Sequence, residues 1–182
     1  LKIIYIFMSK MSICRKNNWS VECENMVNDQ INMELYASHY YNALYSYFLS
    51  DSVGFPKMAD YFKKSSDEET EHARKFIEYQ NIRGGTVQIK NIQTPTFNFD
   101  ENSGESVLYQ ALNIALSLEQ KVYESILKMS KTCDDPAFED YLDDFLKEQL
   151  EGQHDLGMKL RQLKHIGKDG HGLVHFSEEM LN

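Results

Sequence analysis

Between residues 55 and 78, apolar side chains recur at the spacing of one helix face. At about 100° per residue, this face carries Phe55, Met58, Phe62, Ala73 and Phe76. Glu69 lies in the middle of the same face, and His72 follows three residues later, so both side chains can converge on one point. A carboxylate and an imidazole that converge are two ligands for iron, manganese or zinc. Acidic runs are usually solvated, so the position of Glu69 inside the apolar face is what predicts a metal site.

Three further stretches each carry one polar side chain at the centre of an apolar helical face. One predicted helix follows the N-cap Ser20 and runs to about Phe48, one runs from about Glu105 to Cys133, and one begins at Pro136 after the N-cap Asp135. Their central polar side chains are Glu34, Glu119 and Gln149. Burying a lone ionised carboxylate costs several kcal/mol. Such residues are therefore neutral, paired or bound to a metal, and four inward-facing helices can supply a dinuclear metal site.

The connection between the second and third helices is long and polar. Residues 84–104 contain one proline and several Asn and Thr residues. About 20 extended residues can span roughly 65 Å, more than the ~40 Å of a 28-residue helix. We therefore predict an all-α four-helix bundle with one long crossover, followed by a short fifth helix at residues 173–181.

Charge and cysteine content limit the partners and the compartment. The net charge of -9 repels nucleic acid and anionic membranes, so neither is predicted as a partner. No stretch approaches the roughly 20 apolar residues that span a bilayer. Cys14, Cys23 and Cys133 form no Cys-x-x-Cys pair, which indicates neither a disulfide framework nor a zinc ribbon and favours a reducing compartment. The predicted location is the cytoplasm, with a secreted or reserve-tissue form left open.

The first residues are predicted to lie outside the folded domain. Residues 1–7 are apolar apart from Lys2, but they are too short for the core of a signal peptide, and no small-residue cleavage pattern follows them. We interpret residues 1–18 as an N-terminal extension, disordered or partly upstream read-through, with a natural start at Met8 or Met11; a truncated leader is the alternative. The predicted di-iron domain is 19–182.

Several segments together resemble the ferritin family, specifically its ferroxidase-competent, heavy-chain-like animal members. The segments are Ile31–Ser38, Asp67–Lys75, Gln80–Gly85, Ala115–Glu119 and Glu148–Gln149. The resemblance covers nearly all of residues 19–181. It implies an iron store in which Fe(II) is oxidised by dioxygen and kept as ferric oxyhydroxide inside a shell of twenty-four subunits, alone or with other ferritin chains.

The resemblance also implies roles for individual residues. Glu34, Glu69 and His72 would hold one iron, and Glu69 would bridge to a second iron held by Glu119. Gln149 and Tyr41 would lie within hydrogen-bonding reach, which completes a centre with two irons per subunit. Since Gly152 stands where a second Glu-x-x-His motif would place its histidine, the second iron site is expected to be weak.

Two exposed acidic pairs gain roles only through the resemblance. Glu68 and Glu71 would face the shell interior and help to nucleate the mineral. Asp140 and Asp143 would line a three-fold channel through which Fe(II) enters. Without the resemblance, both pairs are interpreted as solvated helix surface.

Three alternatives remain at this point. A di-iron oxidase acting on an organic substrate would normally carry the second histidine motif. A storage subunit like a ferritin light chain would lack several of the inward ligands. A helical interaction bundle such as a cytokine would have no reason to place carboxylates at the centre of its core.

Overall fold

The computed structural model describes residues 19–180, which form five α-helices. They are α1 (Val21–Leu49), α2 (Pro56–Ile82), α3 (Val107–Thr132), α4 (Pro136–Ile166) and α5 (His171–Glu179). Within these residues α1 packs mainly on α2 and α3 mainly on α4, and α1 and α3 join the two pairs. The predicted bundle, long crossover and short fifth helix are confirmed. The predicted N-terminal extension lies outside the described residues.

Local caps fix where the helices begin. The Ser20 hydroxyl accepts a hydrogen bond from the Cys23 N–H at 3.1 Å, and the Asp135 carboxylate accepts from Ala137 and Phe138, each at 3.1 Å. Both caps match the prediction. Ser106 caps α3 in the same way through the Tyr109 N–H at 3.1 Å, so α3 begins two residues later than predicted. None of the helices in the described range is long and apolar enough to cross a membrane.

The apolar core is divided into two clusters at opposite ends of the bundle. One cluster includes Leu44, Phe48, Phe62, Leu112 and Leu160. The other includes Val27, Ile31, Phe76, Ile126 and Phe138. In each of the four long helices, the central polar residue predicted from the sequence lies between the positions that contribute to the two clusters. The fold therefore brings these polar side chains to the same height in the bundle.

Two asparagines of α1 hold the start of the crossover against the bundle. The Asn28 side chain donates to the Thr86 carbonyl at 2.9 Å and accepts from the Gln88 N–H at 2.9 Å. Asn32 donates to the Gln88 carbonyl at 2.8 Å and accepts from the Lys90 N–H at 2.6 Å. Four helical residues rise about 6 Å, and two extended residues rise about 6.6 Å. The step from Asn28 to Asn32 along α1 therefore has nearly the same length as a step of two residues along the crossover.

The expectation from the cysteine pattern was wrong, because Cys23 and Cys133 form a disulfide. Their Cα atoms are 5.8 Å apart although the residues are separated by 110 positions. The start of α1 and the end of α3 meet at one end of the bundle, and a search for closely spaced cysteines cannot detect such a pair. Cysteine usage therefore no longer supports a reducing compartment.

We expect loss of this disulfide to destabilise the fold. Replacing both residues, as Cys23→Ser with Cys133→Ser, should lower the free energy of unfolding by about 2–5 kcal/mol, because the cross-link closes a long loop in the unfolded chain. Urea unfolding at one fixed chain concentration measures the change. Dithiothreitol should weaken the parent protein and leave the double variant unaffected. Equal stability of the parent protein with and without reductant would contradict the prediction.

Candidate metal centre

Three ligand side chains meet at the centre of the bundle. Glu34 comes from α1, and Glu69 and His72 come from α2, with exposed fractions of 0%, 4% and 7%. One ligand atom from each lies within 4.8 Å of the others. His72 Nδ1 is 3.4 Å from Glu69 Oε2, as expected for residues three apart on one helix face. The three side chains can therefore reach a single ion.

A second group lies on the facing helices. Glu119 of α3 accepts a hydrogen bond from the Tyr41 hydroxyl at 2.5 Å through one oxygen, and from Gln149 Nε2 at 2.7 Å through the other. Tyr41 is buried in α1 and Gln149 in α4. These two donors fix the orientation of the Glu119 carboxylate. All six residues predicted for the ferroxidase centre thus belong to one neighbourhood.

Unpaired acceptor atoms show that this neighbourhood fits a cation. Among the described residues, three buried side-chain oxygens have no hydrogen-bond partner in the protein, and these are Glu34 Oε2, Gln149 Oε1 and Oε1 of Gln30, a neighbour of Glu34. Leaving a buried acceptor unpaired is costly. Hard or borderline cations such as iron take oxygen and imidazole ligands of this kind. The donor set therefore suits a metal ion better than it suits a purely structural core.

Without a metal, the buried carboxyl groups of this centre favour their protonated form. Burial raises the pKa of Glu34 well above its usual range, and the nearby Glu69 raises it further. Burial also raises the pKa of Glu69, to about 8, with the charge of Glu119 as the next cause. Burial, followed by the charge of Glu119, raises the pKa of the Tyr41 hydroxyl. A bound cation would reverse this preference, because it favours the ionised carboxylates and displaces their protons.

Two outer contacts were missed by sequence reasoning. Gln30 is fully buried and its Nε2 donates to Glu34 Oε1 at 2.7 Å; its spacing of four residues from Glu34 on one helix was the available signal. Glu148 was part of the resemblance but had no assigned role. Its Oε1 lies 3.2 Å from His72 Nε2. Contacts of this type orient metal ligands.

A cavity of about 570 Å³ opens beside the centre, between α2 and α4. Its lining includes Glu68, Glu69, Glu119, Gly152 and Asp155. Gly152 borders open space, since a Cβ atom added to this residue would have no neighbouring heavy atom within 4 Å. The cavity therefore leaves room for ions to approach the centre from this side.

Of the other predicted site residues, Glu68 lines the cavity beside the centre, and the remaining three lie on exposed helix surface. Glu71 is exposed, with Arg74 Nη1 at 3.4 Å from its Oε2. Asp140 and Asp143 are exposed near the start of α4. Within one chain, Glu68 therefore borders the approach to the centre, whereas Glu71, Asp140 and Asp143 are not brought to it.

Comparison of the chain with known proteins identifies its family. Residues 24–166 match the family described as Ferritin-like domain. The chain belongs to the ferritin family. This confirms the resemblance to the ferritin family, while the relatives described below come from plants and a green alga and not from animals.

Individual ferritins match over most of this chain. Ferritin-2, chloroplastic, of Zea mays is 40% identical over 164 residues, which cover 88% of this chain and 65% of the relative. Ferritin-3, chloroplastic, of Arabidopsis thaliana is 42% identical over 167 residues, which cover 90% and 64%. The crystal structure of ferritin from the green alga Ulva pertusa matches with a TM-score of 0.86 at 34% identity, over 91% of this chain and 86% of that one.

The relatives bear on the extent of the chain and on its predicted location. This chain spans just under two thirds of the length of the maize and Arabidopsis ferritins. Those relatives are plant proteins whose names place them in the chloroplast, so the predicted cytoplasmic location of this ferritin stays a prediction.

Proposed function

We propose that this chain is an iron-storage subunit that oxidises Fe(II) with dioxygen at a dinuclear centre. The main observation that supports this proposal is the ligand cluster of Glu34, Glu69 and His72, which lies beside the hydrogen-bonded pair of Glu119 and Gln149. The first three would bind one Fe(II). Glu69 and Glu119 would bind the second, with Gln149 and Tyr41 holding Glu119 in place. Iron is here the substrate, with two ions per subunit.

The proposed reaction moves two electrons. Each Fe(II) gives one electron to dioxygen, which takes up two protons and leaves as hydrogen peroxide, while both irons become Fe(III). The chain contributes by holding two ions close together and by releasing carboxyl protons as they bind. Since Gly152 supplies no imidazole to the second ion, the oxidised iron is held weakly and can move on to the mineral.

Storage needs an assembly beyond one chain. We propose a shell of twenty-four copies, with or without other ferritin chains, which fits the family of the chain and its likeness to the algal ferritin. In that shell, Asp140 and Asp143 would attract entering Fe(II), and Glu68 and Glu71 would bind iron at the inner surface. The exposed carboxylates of these residues supply suitable oxygen ligands.

Rapid mixing tests the oxidation. We expect metal-free protein mixed aerobically with about two Fe(II) per chain to form ferric absorbance much faster than the same iron in buffer. One dioxygen should be consumed for every two Fe(II), as the electron balance requires. Adding further iron should repeat the fast phase once the product has moved on, whereas a di-iron oxidase for organic substrates would retain its first two ions. Oxidation no faster than in buffer would refute the proposal.

A further inference from the structure

One lysine is held in place where the cavity beside the metal centre opens to solvent. The lining of this cavity includes Gln149 of the centre and, farther along α4, Asp155 and Lys159. Lys159 follows Gln149 by ten residues, about 15 Å along the helix axis. The Asp155 side chain is 57% exposed, so this part of the lining faces solvent, and its carboxylate forms an ion pair with the Lys159 ammonium group. A cation that enters through this cavity therefore meets a positive charge before it reaches the ligands.

Contacts on two sides fix the position of Lys159. Its Nζ lies 5.5 Å from the centre of the Tyr61 ring, a distance at which the face of the ring attracts a cation, and Asp155 lies one helix turn away. Only 18% of the Lys159 side chain is exposed. The other lysine of the lining, Lys64, has a side chain that is 70% exposed, with its Nζ 3.5 Å from Glu68 Oε1. Water and salt screen the charge of Lys64, whereas Lys159 presents a fixed charge to the cavity.

The two members of this ion pair act on an entering cation in opposite directions. The Asp155 carboxylate attracts a divalent ion, and the Lys159 ammonium group repels it. The walls of a cavity exclude part of the solvent, so both interactions are stronger here than between ions in bulk water. Without the ammonium group, the exposed carboxylates of Glu68 and Asp155 would make the mouth of the cavity more attractive to cations. With it, the charge of Asp155 is offset.

We propose that Lys159 limits the rate at which divalent cations reach the metal centre, by offsetting the charge of Asp155 at the mouth of the cavity. The inference rests on the proposed function for the identity of the natural cation, which is Fe(II). Lys159 is not one of the proposed ligands, so it acts on the entry of the ion and not on the electron transfer. Because its charge lies on the route to the ligands, it changes the association rate more than the affinity at equilibrium.

The entry rate can be measured without dioxygen, which separates this inference from the proposed oxidation. Co²⁺ is the probe, because its visible absorbance changes when carboxylate and imidazole ligands replace water. The metal-free protein is mixed anaerobically with Co²⁺ in a stopped-flow instrument at low and at high salt. The variants are Lys159→Met, Lys159→Arg and Asp155→Asn, which are close in size to the parent residues and differ in charge or in the shape of the cation.

Lys164→Met is the matched control, because Lys164 makes the same two kinds of contact outside this cavity. Its Nζ lies 5.2 Å from the centre of the Tyr109 ring and 3.9 Å from Glu105 Oε1. Lys164 also belongs to α4, and it is not part of the cavity lining. This variant loses one positive charge, as Lys159→Met does, and should bind Co²⁺ at the parent rate.

We expect Lys159→Met to raise the association rate of Co²⁺ at low salt by about tenfold, at the lower end of the effect that charges lining a cleft have on such rates. Lys159→Arg should keep the parent rate. Asp155→Asn should lower it, because the charge of Lys159 is then no longer offset. Raising the ionic strength from about 0.01 M to about 1 M shortens the screening length from about 30 Å to about 3 Å, and this should bring the rates of all variants together.

The opposite signs of the two effects distinguish an electrostatic role from a structural one. If the ion pair only holds α4 in shape, Lys159→Met and Asp155→Asn should change the rate in the same direction, and that result would overturn the inference. Equal rates in Lys159→Met and the parent protein at low salt would overturn it as well. If the Co²⁺ rates follow the expected order while Fe(II) is oxidised no faster than in buffer, the proposed function fails and the inference on cation entry stands.

Discussion

The double substitution Glu69→Lys with His72→Gly should reduce Fe(II) oxidation to the rate seen in buffer while leaving the fold intact. It removes the carboxylate proposed to bridge both ions and the only imidazole in the ligand cluster. It also places an ammonium group where a cation would bind, and that charge repels Fe(II). Glu34 and Glu119 remain beside the new ammonium group, so the buried charge has partners and the bundle is expected to fold.

Stopped-flow absorbance under the conditions given for the parent protein measures this loss. The matched control is Glu78→Lys, which makes the same charge reversal on the exposed side of α2 and should keep the parent rate. Circular dichroism and gel filtration verify helix content and assembly in both variants. Fast oxidation that survives in the double variant would show that the centre lies elsewhere.

The arrangement of the centre was largely predictable because each ligand sits on a helix with a clear apolar face. Glu34, Glu69 and Glu119 interrupt such faces at their midpoints, and a bundle has no other place for those faces than its interior. Helix starts were predictable for the same local reason, since the caps Ser20 and Asp135 act on N–H groups two or three residues away. The chemical roles of individual residues came from the resemblance. In the sequence alone, Tyr41 cannot be told from the other aromatic residues of the core, although its hydroxyl donates a hydrogen bond to Glu119.

Features that depend on contacts between distant segments were not predictable. The Cys23–Cys133 disulfide joins two helix ends whose meeting is a property of the whole fold. Glu148 belongs to the exposed face of α4, yet its carboxylate reaches His72 on α2. The rings of His72 and Tyr79 on α2 pack against those of Phe145 and Tyr141 on α4, so neither helix alone shows these contacts. Periodicity within one helix predicts which face is buried, but it does not specify which side chain of another helix will lie opposite.

The metal-free protein should lose stability as the pH rises from about 4.5 to 8, because buried carboxyl groups hold protons more tightly in the folded chain than in the unfolded chain. Burial, and then the charge of Glu119, raise the pKa of Glu69 to about 8 from its ordinary value of 4.5. Below 4.5 the group is protonated in both states, and its stabilising effect is fully present. Between the two values the folded state binds more protons, so the free energy of unfolding falls with pH and the effect is lost above 8.

Glu69→Gln should remove much of this pH dependence, because the amide is neutral at every pH and resembles the protonated carboxyl group. We expect the variant without metal to be more stable than the parent at pH 8 by a few kcal/mol per chain, and close to it at pH 5. Urea unfolding with a chelator present, at one chain concentration, measures both. Glu78→Gln makes the same substitution at an exposed position of α2 and should leave the parent pH dependence unchanged. Adding Zn²⁺ at pH 8 should reverse the order, since the metal stabilises the parent by binding the ionised carboxylates. A variant that is less stable than the metal-free parent at pH 8 would mean that Glu69 is held ionised by partners within the protein and does not await a cation.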